Sequence, residues 1–506
     1  MQAIFHTTGL VGTGAMGLGI AQMAAQAGST VLLYDTQSGA AEAACSALRT
    51  TWQTLVSKGK LDPDKAEAYL SRVQTVDNLA ALAPCDLVIE AVVERLDVKR
   101  RLFAELERIV RPDAVLATNT SSLSVTAIAA PLERPEQFAG YHFFNPVPLM
   151  RVVEVIAGLK TAAHVCQQLT AYTKQFGHTP VAAQDTPGFV VNHAGRGYGT
   201  EALRLVGERV SDFATTDRIL KDQMGFRLGP FELMDLTALD VSHPVMESIY
   251  HQYFEEPRYR PSVITAQRLA GGMLGKKTGA GFYAYEKGVV QQPPESAAPE
   301  VTTLPPVWVS PKAARRAELL QLLKDLGAGL ETGPAPSATA LILVAPLGLD
   351  VTTLAAVERL DPTRTMGIDL MLDDKATRRR VLATNPATRS DIRDAAHALF
   401  ARDGKAVSVI RDSGGFVTQR VVATIVNIAA DMCQQGVCSP ADLEVAVTLG
   451  LGYPMGPLAM GDHIGPANVL EILFNMQTVY GDPRYRPSPW LRRRGALGLS
   501  LMQEED

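Results

Sequence analysis

Cysteine is scarce in this chain of 506 residues. There are five, Cys45, Cys85, Cys166, Cys433 and Cys438, and none stand in Cys-x-x-Cys spacing. An odd, scattered set supports neither a disulfide framework nor a zinc site, so we expect no metal and a reducing, cytoplasmic setting. No run of about eighteen apolar residues occurs, which argues against a membrane-spanning helix. Met1 to His6 carry neither the basic nor the apolar region of a secretory leader. Charge of one sign is also lacking. A net charge of -5 offers nothing to attract nucleic acid or an anionic membrane, and we expect neither as a partner. What is present, 46% hydrophobic and 20% charged residues, is ordinary for a globular protein longer than one domain.

The first positive signal is a nucleotide signature. Leu10-Val11 leads into Gly12-Thr13-Gly14-Ala15-Met16-Gly17, a helix-compatible stretch from Ile20 to Ala27, the strand-like Thr30 to Tyr34, and then Asp35. Glycines there permit a tight turn and let the backbone of Gly12, Gly14, Ala15, Met16 and Gly17 approach a pyrophosphate at a helix N-terminus. Asp35, 23 residues after Gly12, stands where a carboxylate accepts hydrogen bonds from a ribose diol. Its charge repels a 2′-phosphate, and Thr36 and Gln37 supply no arginine to hold one. NAD is expected rather than NADP. His6 to Gly9 interrupts the apolar run of the first strand.

Further strands are expected at Asp86 to Val93, ending in Glu94, and at Ala114 to Ala117, running into Asn119-Thr120-Ser121-Ser122. Ligands of open parallel sheets bind at such carboxyl ends. Ser121 reads either as a helix N-cap for Val125 to Ala130 or as a catalytic group. Lys58 and Lys60, in a break between helices, read either as solvated charge or as partners of a phosphate. In the stretch Gly140 to Glu154, Pro146 and Pro148 preclude a helix, so His142 ends one strand and Val152 to Ile156 begins another. An imidazole with a carboxylate on its second nitrogen makes a general base, although a lone His142 also reads as a buried structural residue. Pro187-Gly188 marks the passage to a helical segment. Gly271 to Tyr283 superficially suggests a phosphate loop, but an extra lysine separates Gly275-Lys276 from Thr278 and no strand leads into it. Gln291 to Pro306 reads as a linker.

The chain also repeats itself. At an offset of 227, Gly177 matches Gly404, Asp185 matches Asp412, Gly188-Phe189-Val190 matches Gly415-Phe416-Val417, Gly229-Pro230 matches Gly456-Pro457, and Asp235 matches Asp462. Turn residues recur while polar ones do not. Ser121 falls opposite Gly348, His142 opposite Asp369, Glu154 opposite Val381 and Asn192 opposite Gln419. The glycine turn is absent from the second half too. One active site per chain is expected, in the first half.

Asn119-Thr120-Ser121-Ser122-Leu123, His142-Phe143-Phe144-Asn145-Pro146-Val147-Pro148, Val153-Glu154-Val155 and Pro187-Gly188-Phe189-Val190-Val191-Asn192 together resemble the L-3-hydroxyacyl-CoA dehydrogenase family, in order and spacing, over residues 1 to about 285. The resemblance implies an α/β Rossmann domain (1–186), an all-α domain (187–288), a linker (289–306), a degenerate α/β domain (307–412) and a second all-α copy (413–506). It implies NAD-dependent oxidation of an acyl-CoA thioester, with His142 as base, Glu154 as its partner, and Ser121 and Asn192 on the reacting oxygen or thioester carbonyl. It assigns Glu94, Lys99, Ser121, Asn145 and Lys277 to NAD, and Lys58 or Lys60 to the CoA phosphate. His193 stands where many relatives carry arginine. Arg196 and Arg227 read either as partners of a dicarboxylic acyl tail or as surface ion pairs. The duplicated helical segment implies a monomer with an internal pseudo-dimer, or a homo-oligomer. A catalytically inactive NAD-binding scaffold and a dehydrogenase of a small free hydroxy acid are the alternatives.

Overall fold

The computed structural model describes residues 3–371 and 377–505. The chain divides into two compact units, residues 1–193 with 435–451, and 194–434 with 452–506.

Eight strands form the sheet of the first unit: β1 (Thr7–Val11), β2 (Thr30–Tyr34), β3 (Val73–Thr75), β4 (Leu87–Glu90), β5 (Val115–Thr118), β6 (Phe138–Phe143), β7 (Val152–Ala157) and β8 (Thr179–Gln184). Their order is β3-β2-β1-β4-β5-β6-β7-β8. The order reverses between β1 and β4, and such a switch point opens a crevice at the carboxyl ends of the strands. Every neighbouring pair is parallel except β6 and β7. Runs such as Leu87-Val88-Ile89 are fully buried, as strands covered on both faces must be. β1 begins at Thr7, inside the stretch that interrupts the apolar run. Thr8 is buried with its hydroxyl 3.3 Å from the Tyr172 hydroxyl, and a hydroxyl that finds a partner can sit inside a sheet.

Residues 435–451, within the expected second helical copy, pack with this first unit. Ser439 caps the helix Pro440–Gly450 by accepting from the Asp442 N–H, with proline at the first helical turn. The helix lies against β7 and β8, and Gln184 N donates to Val437 O at 2.9 Å.

The second unit carries the helices Arg196–Gly207, Phe213–Met224, Pro230–Thr237, Leu239–Gln252 and Val263–Ala270, then a hairpin of β9 (Ala284–Glu286) and β10 (Val289–Gln291). A second sheet follows, β11 (Val307–Val309), β12 (Leu341–Val344), β13 (Thr365–Asp369), β14 (Arg379–Ala383) and β15 (Ala406–Ile410), in sequential order. Again one pair, β13 and β14, is antiparallel among parallel neighbours. By chain offset β12 to β15 correspond to β5 to β8, and β11 takes the place of β4. Among the described residues nothing in this second sheet corresponds to β1, β2 and β3, the part that bears the glycine turn.

Backbone geometry recurs with the repeat. Gly188 and Gly415 have φ of 79° and 77°, and the residues after them, Phe189 and Phe416, both have φ of 48°. A left-handed pair of this kind is costly for the phenylalanine, and glycine beside it keeps the turn affordable in both copies. Asp185 accepts from Val125 N and Thr126 N at 2.9 and 2.7 Å, and Asp412 accepts from Val351 N and Thr352 N at 2.8 and 2.9 Å. Each carboxylate ties the exit of the last strand to a helix N-terminus, where negative charge is favoured.

Within the second unit the two helical copies pair through Arg196–Gly207 and Thr418–Gln434. The Gly197 backbone comes close enough that a Cβ would lie 3.2 Å from Ile428 Cδ1. Glu201 and Arg420 meet at 2.5 Å, both fully buried, with Arg484 at 3.1 Å and the Tyr485 hydroxyl at 2.7 Å from the same carboxylate. Burial pushes the Glu201 carboxyl up, but Arg420 and Arg484 outweigh it and hold it below its usual range. That stabilisation is present above the unfolded carboxyl's pKa and is lost as pH falls through the folded one. Replacing Arg420 with methionine leaves a buried carboxylate with Arg484 as its one remaining guanidinium, and we expect this unit to lose up to about 3–5 kcal/mol, read from urea unfolding at pH 7. Adding Glu201→Leu to that variant should restore much of the loss.

Candidate active site

The antiparallel register of β6 and β7 sets His142 directly opposite Glu154. Side chains of such a pair share one face of the sheet at close range. His142 Nδ1 lies 2.5 Å from Glu154 Oε2, and Nε2 lies 3.0 Å from Ser121 Oγ. His142 is 3% exposed and Glu154 is fully buried. A carboxylate only accepts, so Nδ1 carries the proton it donates, and in a neutral imidazole that leaves Nε2 as the acceptor facing Ser121. The other carboxylate oxygen, Oε1, accepts from Val190 N at 2.9 Å and Val191 N at 2.8 Å. Both amides follow the left-handed Gly188-Phe189 turn. Asn192 comes next, in the short helix Val191–Ala194, with His193 buried beside it. The rings of Phe144 and Phe189 stand 4.5 and 5.8 Å from the imidazole.

Ser121 is therefore not the cap of the following helix. Ser124 has that place, accepting from Ala127 N at 3.1 Å, while Ser121 points its hydroxyl to His142. Asn119 closes the end of β6 by accepting from Phe143 N at 2.8 Å.

The dinucleotide turn is built as the glycines require. Gly12 has φ of 95°, and a Cβ there would sit 2.6 Å from Ala91 O. A Cβ at Gly17 would sit 1.9 Å from Gly12 O, whereas one at Gly14 would touch nothing within 4 Å. Gly14 and Ala15 are exposed and Met16 half-buried, at the start of the helix Ala15–Ala27, whose first N–H groups have no acceptor within the helix. Asp35 accepts from Thr13 N, the Thr13 hydroxyl and Gln37 N at 2.7, 2.8 and 2.9 Å. Burial pushes its carboxyl up, yet these donors win and hold it low, so it is ionised at neutral pH. An open phosphate cradle followed by a carboxylate fits NAD.

Glu94 bridges the ends of β4 and β5. It accepts from the Thr120 hydroxyl, Ser121 N and Ser122 N at 2.6, 2.9 and 3.0 Å. Burial raises its carboxyl, but Lys99 at 3.3 Å and these donors outweigh it and leave it low. Lys99 itself is 1% exposed, with Nζ 2.6 Å from the fully buried Glu90, which also accepts from the Thr118 hydroxyl. Lys99 thus stands behind Glu94. Sequence reasoning missed Glu90, an acid inside an apolar strand, which was the signal available. It also missed the Val190 and Val191 amides, which no side-chain motif can announce.

Asn145 is exposed in the loop after β6, and Lys58 and Lys60 are exposed on the turn after the helix Ala40–Ser57. Lys277 belongs to the second unit, where its ammonium pairs with Asp240. The glycine-rich segment around it is no phosphate loop. Asp235 accepts from Phe282 N and Tyr283 N at 2.9 Å, fastening the segment to the helix Pro230–Thr237. Arg227 is exposed, and Arg196 is drawn down to about 10 by burial.

In the second half Asp369 faces Val381 across β13 and β14, the register of His142 and Glu154. Gln419 donates to Asp369 Oδ1 at 3.0 Å and accepts from Gly348 N at 2.8 Å. Those positions converge without an imidazole or a facing carboxylate. Among the described residues no helix is long and apolar enough to cross a membrane, and no three His, Cys, Asp or Glu side chains group as metal ligands.

Residues 7–186 match the family "3-hydroxyacyl-CoA dehydrogenase, NAD binding domain", and 188–285 and 415–502 both match "3-hydroxyacyl-CoA dehydrogenase, C-terminal domain". The chain is 38% identical to 3-hydroxyadipyl-CoA dehydrogenase of Escherichia coli K12 over 497 residues, 97% of this chain and 98% of that one. It is 40% identical to a probable 3-hydroxybutyryl-CoA dehydrogenase of Deinococcus radiodurans, covering 55% of this chain and 99% of the relative. The crystal structure of 3-hydroxybutyryl-CoA dehydrogenase from Escherichia coli K12 superposes with a TM-score of 0.83 at 36% identity, over 98% of this chain and 99% of the other.

The position of Lys99 is open to test. Lys99→Met leaves Glu90 buried and unpaired, and we expect a loss of about 3–5 kcal/mol in unfolding free energy along with weaker NADH binding. Unchanged stability with weak NADH binding would instead give the lysine to the cofactor alone.

Proposed function

This chain belongs to the 3-hydroxyacyl-CoA dehydrogenase family as an NAD-dependent enzyme, and we propose that it oxidises an (S)-3-hydroxyacyl-CoA to the 3-oxoacyl-CoA with His142 as general base. The observation that carries this reading is the imidazole held between Glu154 and Ser121. NAD, when bound, supplies the hydride acceptor for C3. His142 Nε2 takes the proton of the 3-hydroxyl as the C3–O bond becomes a carbonyl. Glu154 keeps the imidazole in the required tautomer and stabilises the imidazolium. Ser121 and Asn192 hold the reacting oxygen or the thioester carbonyl. Positioned proton transfer of this kind contributes about 10²–10⁴-fold in rate.

On the cofactor side, the turn from Gly12 to Gly17 takes the pyrophosphate, Asp35 the adenosine ribose diol, and Glu94, Asn145 and Lys277 further polar groups of NAD. Lys99 acts by fixing Glu94. Lys58 or Lys60, both exposed, meets a CoA phosphate. The relative spanning nearly the whole chain is named for 3-hydroxyadipyl-CoA, which makes that thioester, and a role in phenylacetate-type or fatty-acid degradation, the first to test. The paired helical copies around Glu201 and Arg420 support a single chain that supplies its own helical partner. Sedimentation of the full chain as a monomer is the expected result, and a stable dimer would contradict it.

The decisive experiment is turnover of 3-hydroxyadipyl-CoA and 3-hydroxybutyryl-CoA with NAD. We expect His142→Ala to lower kcat by about 10²–10⁴-fold while NADH binding persists. The ratio of the two kcat/KM values names the substrate class. Absence of NADH formation from both thioesters would favour an inactive scaffold.

A further inference from the structure

The partner of His142 is braced from far along the chain. Glu154 is held by the amide of Val191, and the Val191 side chain, 1% exposed, meets the last turn of the helix Pro440–Gly450. At Gly450 a Cβ would lie 2.9 and 3.1 Å from the two γ carbons of Val191 and 3.5 Å from Val152 Cγ1. Val152 precedes Glu154 by two residues on β7 and shares its face of the sheet. The helix backbone therefore rests on both elements that orient the carboxylate: the strand that carries it and the amide that holds it.

Glycine at 450 is not needed for a turn. The left-handed residue that ends this segment is Gly452, at φ of 67°, and Gly450 has no positive φ. What Gly450 allows is close approach. Val191 cannot yield easily, because it is β-branched and sits in a helix, where its χ1 is restricted. The segment is anchored at its other end by the Gln184 N to Val437 O bond on the edge strand β8. We propose that Gly450 is a positioning residue for the His142–Glu154 pair. Through it the second half of the chain, which has lost its own catalytic groups, sets the geometry of the site in the first. This inference rests on His142 being the base.

The test uses the full-length chain. In Gly450→Val the added carbons displace Val191 and its amide, and we expect kcat to fall by about 10-fold to 10²-fold, the range that a misplacement on the order of 1 Å produces. KM for NAD should be unchanged and the pH profile of kcat altered. Gly450→Ala should show the same effect more weakly. The double variant Gly450→Ala/Val191→Ala removes the γ carbons that a Cβ would meet while keeping the amide, and should recover most of the lost kcat. Leu449→Ala, at an exposed neighbour on the same helix, should match the unaltered enzyme. A folded Gly450→Val variant within about 2-fold of normal kcat overturns the proposal. So does a folded double variant that recovers nothing, which keeps the test decisive if Gly450→Val does not fold. His142→Ala separates the two readings: if it stays active the base assignment fails, and if it is inactive while Gly450→Val is normal, only the brace fails.

Discussion

A carboxylate with no solvent exposure has to be surrounded by donors, because an unpaired buried charge costs several kcal/mol even after relaxation. Glu154 meets that demand with the His142 ring and the Val190 and Val191 amides. These donors come from β6 and from the turn that ends the β8 connection, so the pair constrains much of the first unit at once. A one-residue slip between β6 and β7 would turn His142 to the opposite face and leave the carboxylate unpaired. The single antiparallel pair in this sheet and the left-handed Gly188-Phe189 turn both answer to it. With Glu154 satisfied, the imidazole is held in one tautomer, and its remaining nitrogen is turned to Ser121.

A second ionic arrangement joins the ends of β4 and β5. Lys99, buried between Glu90 and Glu94, lets two acids lie close together without mutual repulsion deciding the structure. Glu94 in turn gathers the amides of Ser121 and Ser122, so the loop that presents Ser121 to His142 is fixed from the end of β4. The proposed cofactor contact and the proposed base thus share one hydrogen-bonded framework.

The second half shows which features recur where the site residues do not. The antiparallel pair, the left-handed glycine–phenylalanine turn and the strand-exit aspartate persist, since each serves the backbone. Asp369 and Val381 stand at the positions of His142 and Glu154, and the strands that carry a dinucleotide turn have no counterpart among the described residues. What the copy retains is structural use. Its helices pair with the first helical copy around Arg420 and Glu201, and its helix Pro440–Gly450 lies on β7.

Read alone, the amino-acid sequence determined the dinucleotide turn, the acid Asp35 at the end of the second strand, the two halves of the repeat, and a histidine and glutamate on successive strands. Each leaves a local mark: a glycine where the backbone needs one, an acid at a strand end, or a proline that bars a helix. Only the tertiary structure decided between Ser124 and Ser121 as helix cap, carried β1 through Thr7 and Thr8, and set Lys99 behind Glu94. It also decided that residues 435–451 pack with the first unit and that, among the described residues, the second sheet has no counterpart of β1, β2 and β3. In each of these the partner is remote: Tyr172 for Thr8, Glu90 for Lys99, Val191 for Gly450. Local backbone preference is written in neighbouring residues, whereas the partner of a buried polar or close-packed group is chosen by the folded chain.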